Sequence, residues 1–386
     1  MPSNPLRRLQ ELGQSVWLDF ISRPILASGE LQRLIEQDGV SGVTSNPKMF
    51  SEAIGGSRDY DEDIARAARN GKSPRLIYQE LAVEDVRRAA GLLEPLYERT
   101  GGAEGYVSLE VSPELAYDAN GTMREARALW RCLDRPNVLV KIPGTRACLR
   151  AIRRMISEGL NINVTLLFSL DRYCEVAEAY ITGLEERVQA GQAVDAIHSI
   201  ASFFVSRIDA LVDPLLAAAV GRGGAAAERA RGRVAIACAR LAYQAWKEIF
   251  GGERFRRLAR QGARPQRLLW ASTSTKDPAR GDLAYVEPLI GPGTVTTMPP
   301  ATLAAYRDHG SPAARLEEEV AQAREVIESL PEAGIDLDRV TAELEQDGVR
   351  KFREPFDALL AGLEQKRRAF AAGSSVLMRT AASGLP

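Results

Sequence analysis

A chain of 386 residues suits two or three average domains, or one α/β barrel with additions, and 45% hydrophobic with 26% charged residues is ordinary for a globular protein. Lys plus Arg number 50 against 51 Asp plus Glu, a net charge of −1, so no basic excess exists to neutralise nucleic-acid phosphates, and a disordered chain is also excluded. Cys132, Cys148, Cys174 and Cys238 form no CxxC pair and no metal-like cluster, so neither a disulfide scaffold nor a metal site is expected. The opening MPSNPLRRLQELGQ lacks the apolar core of a secretory signal, and no run approaches the ~18 apolar residues of a membrane span. A cytoplasmic protein with no membrane and no nucleic-acid partner is the expectation.

Short β-type runs alternate with longer helical patterns, the strands being expected near 14–20, 40–45, 105–111, 137–142, 160–166, 196–203, 267–273 and 293–297. Strands alternating with helices predict parallel βα units closed as a barrel, although an open doubly wound sheet gives a similar string. Neither a GxGxxG turn after an early strand nor a GxxxxGK[ST] loop is present, so the usual nucleotide-binding fingerprints of such sheets are missing. Ile208, Leu211, Val212, Leu215 and Leu216 share one helical face, and long insertions follow the second strand (50–104) and the sixth (204–262). The glycine- and arginine-rich stretch 221–233 reads as a mobile loop. Residues 1–310 are therefore expected to form the barrel with its helical insertions, and 311–386, charged and helical throughout, to pack on it as C-terminal helices.

Alternation along each strand separates two faces. Val16, Leu18 and Phe20 oppose Trp17 and Asp19; Val107, Leu109 and Val111 oppose Ser108 and Glu110; Val138, Val140 and Ile142 oppose Lys141. On the fifth strand Asn163 and Thr165 oppose the apolar set, on the sixth Ser202 and Phe204 share a face, and Asn46 has the parity of Thr44. With the apolar faces turned to the helices, Asp19, Asn46, Glu110, Lys141, Asn163, Thr165 and Ser202 converge inward, each near the end of its strand, where barrel active sites lie. A buried charge is costly unless paired, so two acids and an amine in one cavity read either as a site or, taken singly, as structural ion pairs.

Lys141, in NVLVKIPGT, is the inward nucleophile candidate. A desolvated lysine amine attacks a ketone to form a Schiff base, whose iminium is an electron sink. Carbon–carbon cleavage beside it needs a base for a hydroxyl proton, and imine formation needs an acid to expel water, roles that Asp19 and Glu110 could divide. Asn46 and Asn163 could hold sugar hydroxyls. Arg207 falls in the first turn of the helix after the sixth strand, where the dipole disfavours a cation, with Ala210 and Leu211 at i+3 and i+4; a phosphate, or a salt bridge to a distant acid, would account for it.

The stretches VWLDFI (16–21), GVTSNPKMF (42–50), VSLEVSP (107–113), VLVKIPGT (138–145), INVTLLFS (162–169), ASFFVSRID (201–209) and DLDRVTAELEQDGVRKFREPFDALL (336–360) resemble the transaldolases of the pentose phosphate pathway, in the family's order and over nearly the whole chain. The resemblance implies an α/β fold, an (α/β)8 TIM barrel with additional helical insertions and C-terminal helices, carrying the Schiff-base lysine, Lys141, on its fourth strand. It also implies Asp19 as the base for C3–C4 cleavage, Glu110 with Thr165 and a water in carbinolamine dehydration, and sugar phosphate substrates without a cofactor. Asn46, Asn163 and Ser202 would bind hydroxyls of the dihydroxyacetone unit, Thr44 and Phe204 would also contact substrate, and Arg207 would bind the phosphate of the sugar phosphate. Many members carry a second phosphate arginine in an ASFRN-like stretch; here LLWASTSTKDP (268–278) has Ser274 at that place, so Lys276 and Ser272 are expected to substitute. His198, at the start of its strand, reads as a core histidine, His309 as a loop residue without a chemical role, and Lys48 as a solvated lysine.

Overall fold

The computed structural model of the chain describes residues 4–220, 224–275, 277 and 279–382, with side chains as far as residue 370. The strands are β1 (Gln14–Leu18), β2 (Val40–Val43), β3 (Tyr106–Glu110), β4 (Val138–Pro143), β5 (Ile162–Leu167), β6 (Ser199–Phe204), β7 (Arg267–Ala271) and β8 (Thr294–Met298). Neighbours in sequence pair in parallel, and β1 also pairs with β8 from Gln14↔Thr294 to Leu18↔Met298, so the sheet closes into an eight-stranded barrel and is not an open doubly wound sheet. Each strand falls inside or within a residue of its expected range.

Apolar residues on the outer face lie beneath the helices, and the inner face packs on itself in layers. Trp17 fills the middle of the barrel at 1% exposure; Gly42 lies opposite it, where a Cβ would run into the indole. At the end where the strands begin, Arg267 Nη1 pairs with Glu104 Oε1 at 2.9 Å and Arg267 also donates to the Thr294 carbonyl, which closes the floor of the barrel with side chains. His198 belongs to this end: its ring lies 4.9 Å from Tyr106, and burial pushes its pKa down to about 4. His309 is exposed and contacts Asp282 and Asp308.

Helices Pro47–Gly56, Asp61–Arg69 and Pro74–Arg99 fill the insertion after β2; Ser206–Val220, Ala225–Ala230, Val234–Gly251 and Glu253–Ala259 fill the one after β6. Residues 221–223 lie outside the described residues, and the rest of the 221–233 stretch is not one loop, because Ala225–Ala230 is helical, its four alanines and one glutamate outweighing the neighbouring glycines. The apolar stripe of Ser206–Val220 is also narrower than its spacing suggests: Ile208, Val212 and Leu216 are buried along the i, i+4, i+8 line, whereas Leu215 is 45% exposed. Beyond β8 come Pro300–His309, Val320–Ser329 and the 46-residue C-terminal helix Leu337–Ala382. That last helix passes over the end of the barrel where the strands finish: Gly348 lies against Leu166 and Phe168, and Phe356 meets Tyr78 edge-on at 5.2 Å. No described helix is long and apolar enough to cross a membrane.

Candidate active site

Strand register assembles the chemistry. Glu110 pairs with Lys141 across β3–β4, and Lys141 with Asn163 across β4–β5, so the three side chains form one row at a single height on the inner wall. Lys141 Nζ is 3.6 Å from Glu110 Oε1 and donates a hydrogen bond to the Ser45 carbonyl at 2.9 Å. Both side chains are buried, Lys141 at 5% and Glu110 at 6% exposure. Burial pushes the Glu110 carboxyl up to about 7, even though the Lys141 charge pulls it down. No described residue hydrogen-bonds either carboxylate oxygen of Glu110 or the hydroxyl of Thr165. Buried polar atoms left without partners are rare in folded proteins, and a catalytic role is one reason for keeping them.

Asp19 follows β1 by one residue, its own N–H donating to the Met298 carbonyl at 2.8 Å, so the end of β8 fixes its backbone. Thr44 donates to Asp19 Oδ1 at 2.5 Å and lies 2.8 Å from the Thr297 hydroxyl. Asn46 caps the helix Pro47–Gly56, accepting from Met49 N–H at 3.0 Å, and this ties its carbonyl oxygen down. Ser202 donates to Asn163 Oδ1 at 2.7 Å, and Asn163 donates to Ser108 Oγ at 3.0 Å, so the fully buried Asn163 amide is engaged on both sides.

A cavity of about 380 Å³ opens above this row, lined by Asp19, Thr44, Asn46, Lys141, Thr165, Ser202, Phe204, Arg207 and Ser272 among the residues expected from sequence. Glu110 and Asn163 stand behind Lys141 and Ser202 and are not part of its lining; Lys276 lies outside the described residues. Lys48 reaches the rim but is exposed and 3.5 Å from Glu52. Ser272 adopts a left-handed backbone (φ 56°), as does Leu166 (φ 60°) next to Thr165; non-glycine residues held there carry strain of about 1–3 kcal/mol and cluster at functional sites. Ser272 is secured to the helix Ser206–Val220 by its carbonyl, which accepts from Ser206 N–H at 3.2 Å, and by the two hydroxyls 3.0 Å apart. Arg207 is half-buried against Phe204, with burial lowering its pKa, and its Nη1 has no hydrogen-bond partner.

The cavity also shows what period-2 reasoning misses. Phe20, expected to face outward with Val16 and Leu18, lines the cavity, because β1 ends at Leu18 and the alternation no longer governs the next turn of chain. Thr297 lines it too, and its place near the end of β8 is the signal that would have found it. Phe352, from the C-terminal helix, and the Ser45 carbonyl carried no such signal, one being distant in sequence and the other a backbone group. A second cavity, of about 430 Å³, lies between Leu166 and the C-terminal helix; Arg172–Glu345 (2.7 Å) and Arg146–Glu175 (3.1 Å) pair its charges.

Residues 16–363 match the family described as transaldolase/fructose-6-phosphate aldolase. A protein of Nostoc sp. named Transaldolase 2 is 46% identical over 374 residues, covering 95% of this chain and 98% of that one. The transaldolase of Thiobacillus denitrificans is 48% identical, covering 93% of this chain and 99% of its own length, and that of Trichodesmium erythraeum is 44% identical over 95% and 98%.

Proposed function

Since the chain belongs to the transaldolase/fructose-6-phosphate aldolase family and its activity is that of a transaldolase, we propose that Lys141 is its Schiff-base nucleophile and that Asp19, Glu110 and Thr165 move the protons. The observation that carries this reading is an amine buried in a closed barrel, 3.6 Å from a carboxyl held up to about pH 7, at the base of a cavity shared with Asp19.

The donor is a ketose phosphate, sedoheptulose 7-phosphate or fructose 6-phosphate. The Lys141 amine adds to its C2 carbonyl, and Glu110, protonated and next to Nζ, gives the proton with which the carbinolamine hydroxyl leaves as water; Thr165 supports that transfer. Asp19 then takes the proton of the C4 hydroxyl. The C3–C4 bonding pair flows to the iminium nitrogen, an aldose phosphate departs, and an enamine of dihydroxyacetone remains on Lys141. Its carbon attacks the aldehyde of the acceptor, glyceraldehyde 3-phosphate or erythrose 4-phosphate, while Asp19 returns the proton; hydrolysis of the iminium frees the new ketose. Thr44 and Asn46 on one side, and Ser202 backed by Asn163 on the other, contact the dihydroxyacetone hydroxyls. Phe204 supplies an apolar wall, and Arg207 with Ser272 and Lys276 receives the phosphate.

Borohydride reduction in the presence of fructose 6-phosphate, followed by peptide mass mapping, tests the assignment. A reduced dihydroxyacetone adduct is expected on the Lys141 peptide and none in Lys141→Ala; an adduct on another lysine overturns it. Fructose 6-phosphate consumed as fast without erythrose 4-phosphate as with it would identify an aldolase releasing free dihydroxyacetone.

A further inference from the structure

The Arg207 guanidinium lies over two rings from distant parts of the chain, 5.3 Å from the centroid of Phe204 on β6 and 6.0 Å from that of Phe352 on the C-terminal helix. The two rings are 6.4 Å apart, and Phe168 extends the cluster at 5.4 Å from Phe204. Asp347, Asp19 and Glu110 are near enough for their charges to act on Arg207, yet among the described residues none forms an ion pair with it. A carboxylate partner would neutralise the guanidinium and compete with an arriving anion. Ring faces hold the cation through their quadrupoles and leave its N–H edge unspent, as the buried, unbonded Nη1 shows.

The C-terminal helix is built to deliver that ring. Gly348, Phe352 and Phe356 follow one another at i, i+4 and i+8 and therefore share a face. At Gly348 a Cβ would come within 3.0 Å of Leu166 Cδ2, so the missing side chain lets the helix approach the end of β5 closely. At Phe356 the ring is fixed by Tyr78 at 5.2 Å and covered by Arg75 at 5.6 Å. Phe352 lies between these two anchors, lining the cavity together with Arg207.

We propose that Phe352 is a positioning residue for the anionic end of the substrate: it clamps Arg207 against Phe204 so that the guanidinium edge is presented to a phosphate monoester, and the C-terminal helix thereby sets the preference for phosphorylated sugars. This rests on the reading of Arg207 as the phosphate residue.

Phe352→Leu keeps apolar volume and removes the ring, whereas Phe352→Tyr keeps the ring. Two measurements on the full chain test the clamp: the ratio of kcat/KM for erythrose 4-phosphate over unphosphorylated erythrose, with fructose 6-phosphate as donor, and the affinity for inorganic phosphate by calorimetry. The expected result for Phe352→Leu is a roughly tenfold fall in the ratio, carried by KM for the phosphorylated acceptor, with phosphate binding weakened to a similar degree; Phe352→Tyr retains both. A ratio equal to that of the unsubstituted protein, whether both acceptors suffer alike or neither does, overturns the proposal. Phe352→Met replaces Phe352→Leu if the latter does not fold. A protein that binds phosphate through this clamp yet transfers nothing from fructose 6-phosphate would sink the transfer reading alone; normal transfer with an unaltered ratio in Phe352→Leu would sink the clamp alone.

Discussion

Glu110 is buried beside an amine, and burial outweighs the amine's pull, holding its carboxyl neutral up to about pH 7. Above its ordinary pKa of 4.5 and below about 7, the folded protein keeps a proton that the unfolded chain has lost. The stability associated with this group is therefore fully present below pH 4.5 and falls as pH rises through about 7. Glu110→Gln should flatten that part of a urea-midpoint against pH curve. It should also remove the alkaline limb near pH 7 from kcat/KM, because the protonated form is the acid that releases water. An unchanged limb in Glu110→Gln would assign it to another group. At Asp19 the two halves of the reaction separate: Asp19→Asn should still be trapped by borohydride at Lys141 but lose turnover by about 10²–10⁴-fold, and equal loss of trapping and turnover would remove it from the cleavage step.

At the scale of elements, the strand register makes the site and the ends of strands limit what register can reveal. Glu110, Lys141 and Asn163 were legible as an inward set because each lies within a strand whose alternation holds, and parallel pairing then makes them neighbours. Phe20 was not, since β1 stops two residues before it. The same alternation points Trp17 inward, but only the barrel shows that it needs the bare backbone of Gly42. Gly42→Ala should destabilise by about 1–3 kcal/mol in urea unfolding through overpacking, and a midpoint equal to that of the unsubstituted protein would mean the indole has room to move.

For the whole molecule, the barrel divides its labour between its ends. Lys141, Asp19 and Arg207 open on the cavity at the end where strands finish, beneath the C-terminal helix, whereas Arg267 and Glu104 close the opposite end. Glu104→Gln leaves the half-buried Arg267 guanidinium without its carboxylate and should cost about 1–3 kcal/mol of stability. Its kcat should remain within twofold, since the ion pair lies on the stability face of the barrel. A larger fall in kcat would mean that the floor and the site are mechanically coupled.

Local sequence determined the alternation of strands and helices and the inward row of acid, amine and amide, because side-chain parity is a property of a few consecutive residues. The helix at Ala225–Ala230 and the exposure of Leu215 were misjudged, since short apolar patterns do not say which neighbour will cover them. Closure of the sheet, the Ser45 carbonyl on Lys141, the Thr44 and Thr297 contacts that orient Asp19, and the Phe352 ring on Arg207 required the tertiary structure. Each joins groups from 25 to 280 residues apart, and such separations are bridged by packing of the whole chain, about which no local pattern carries information.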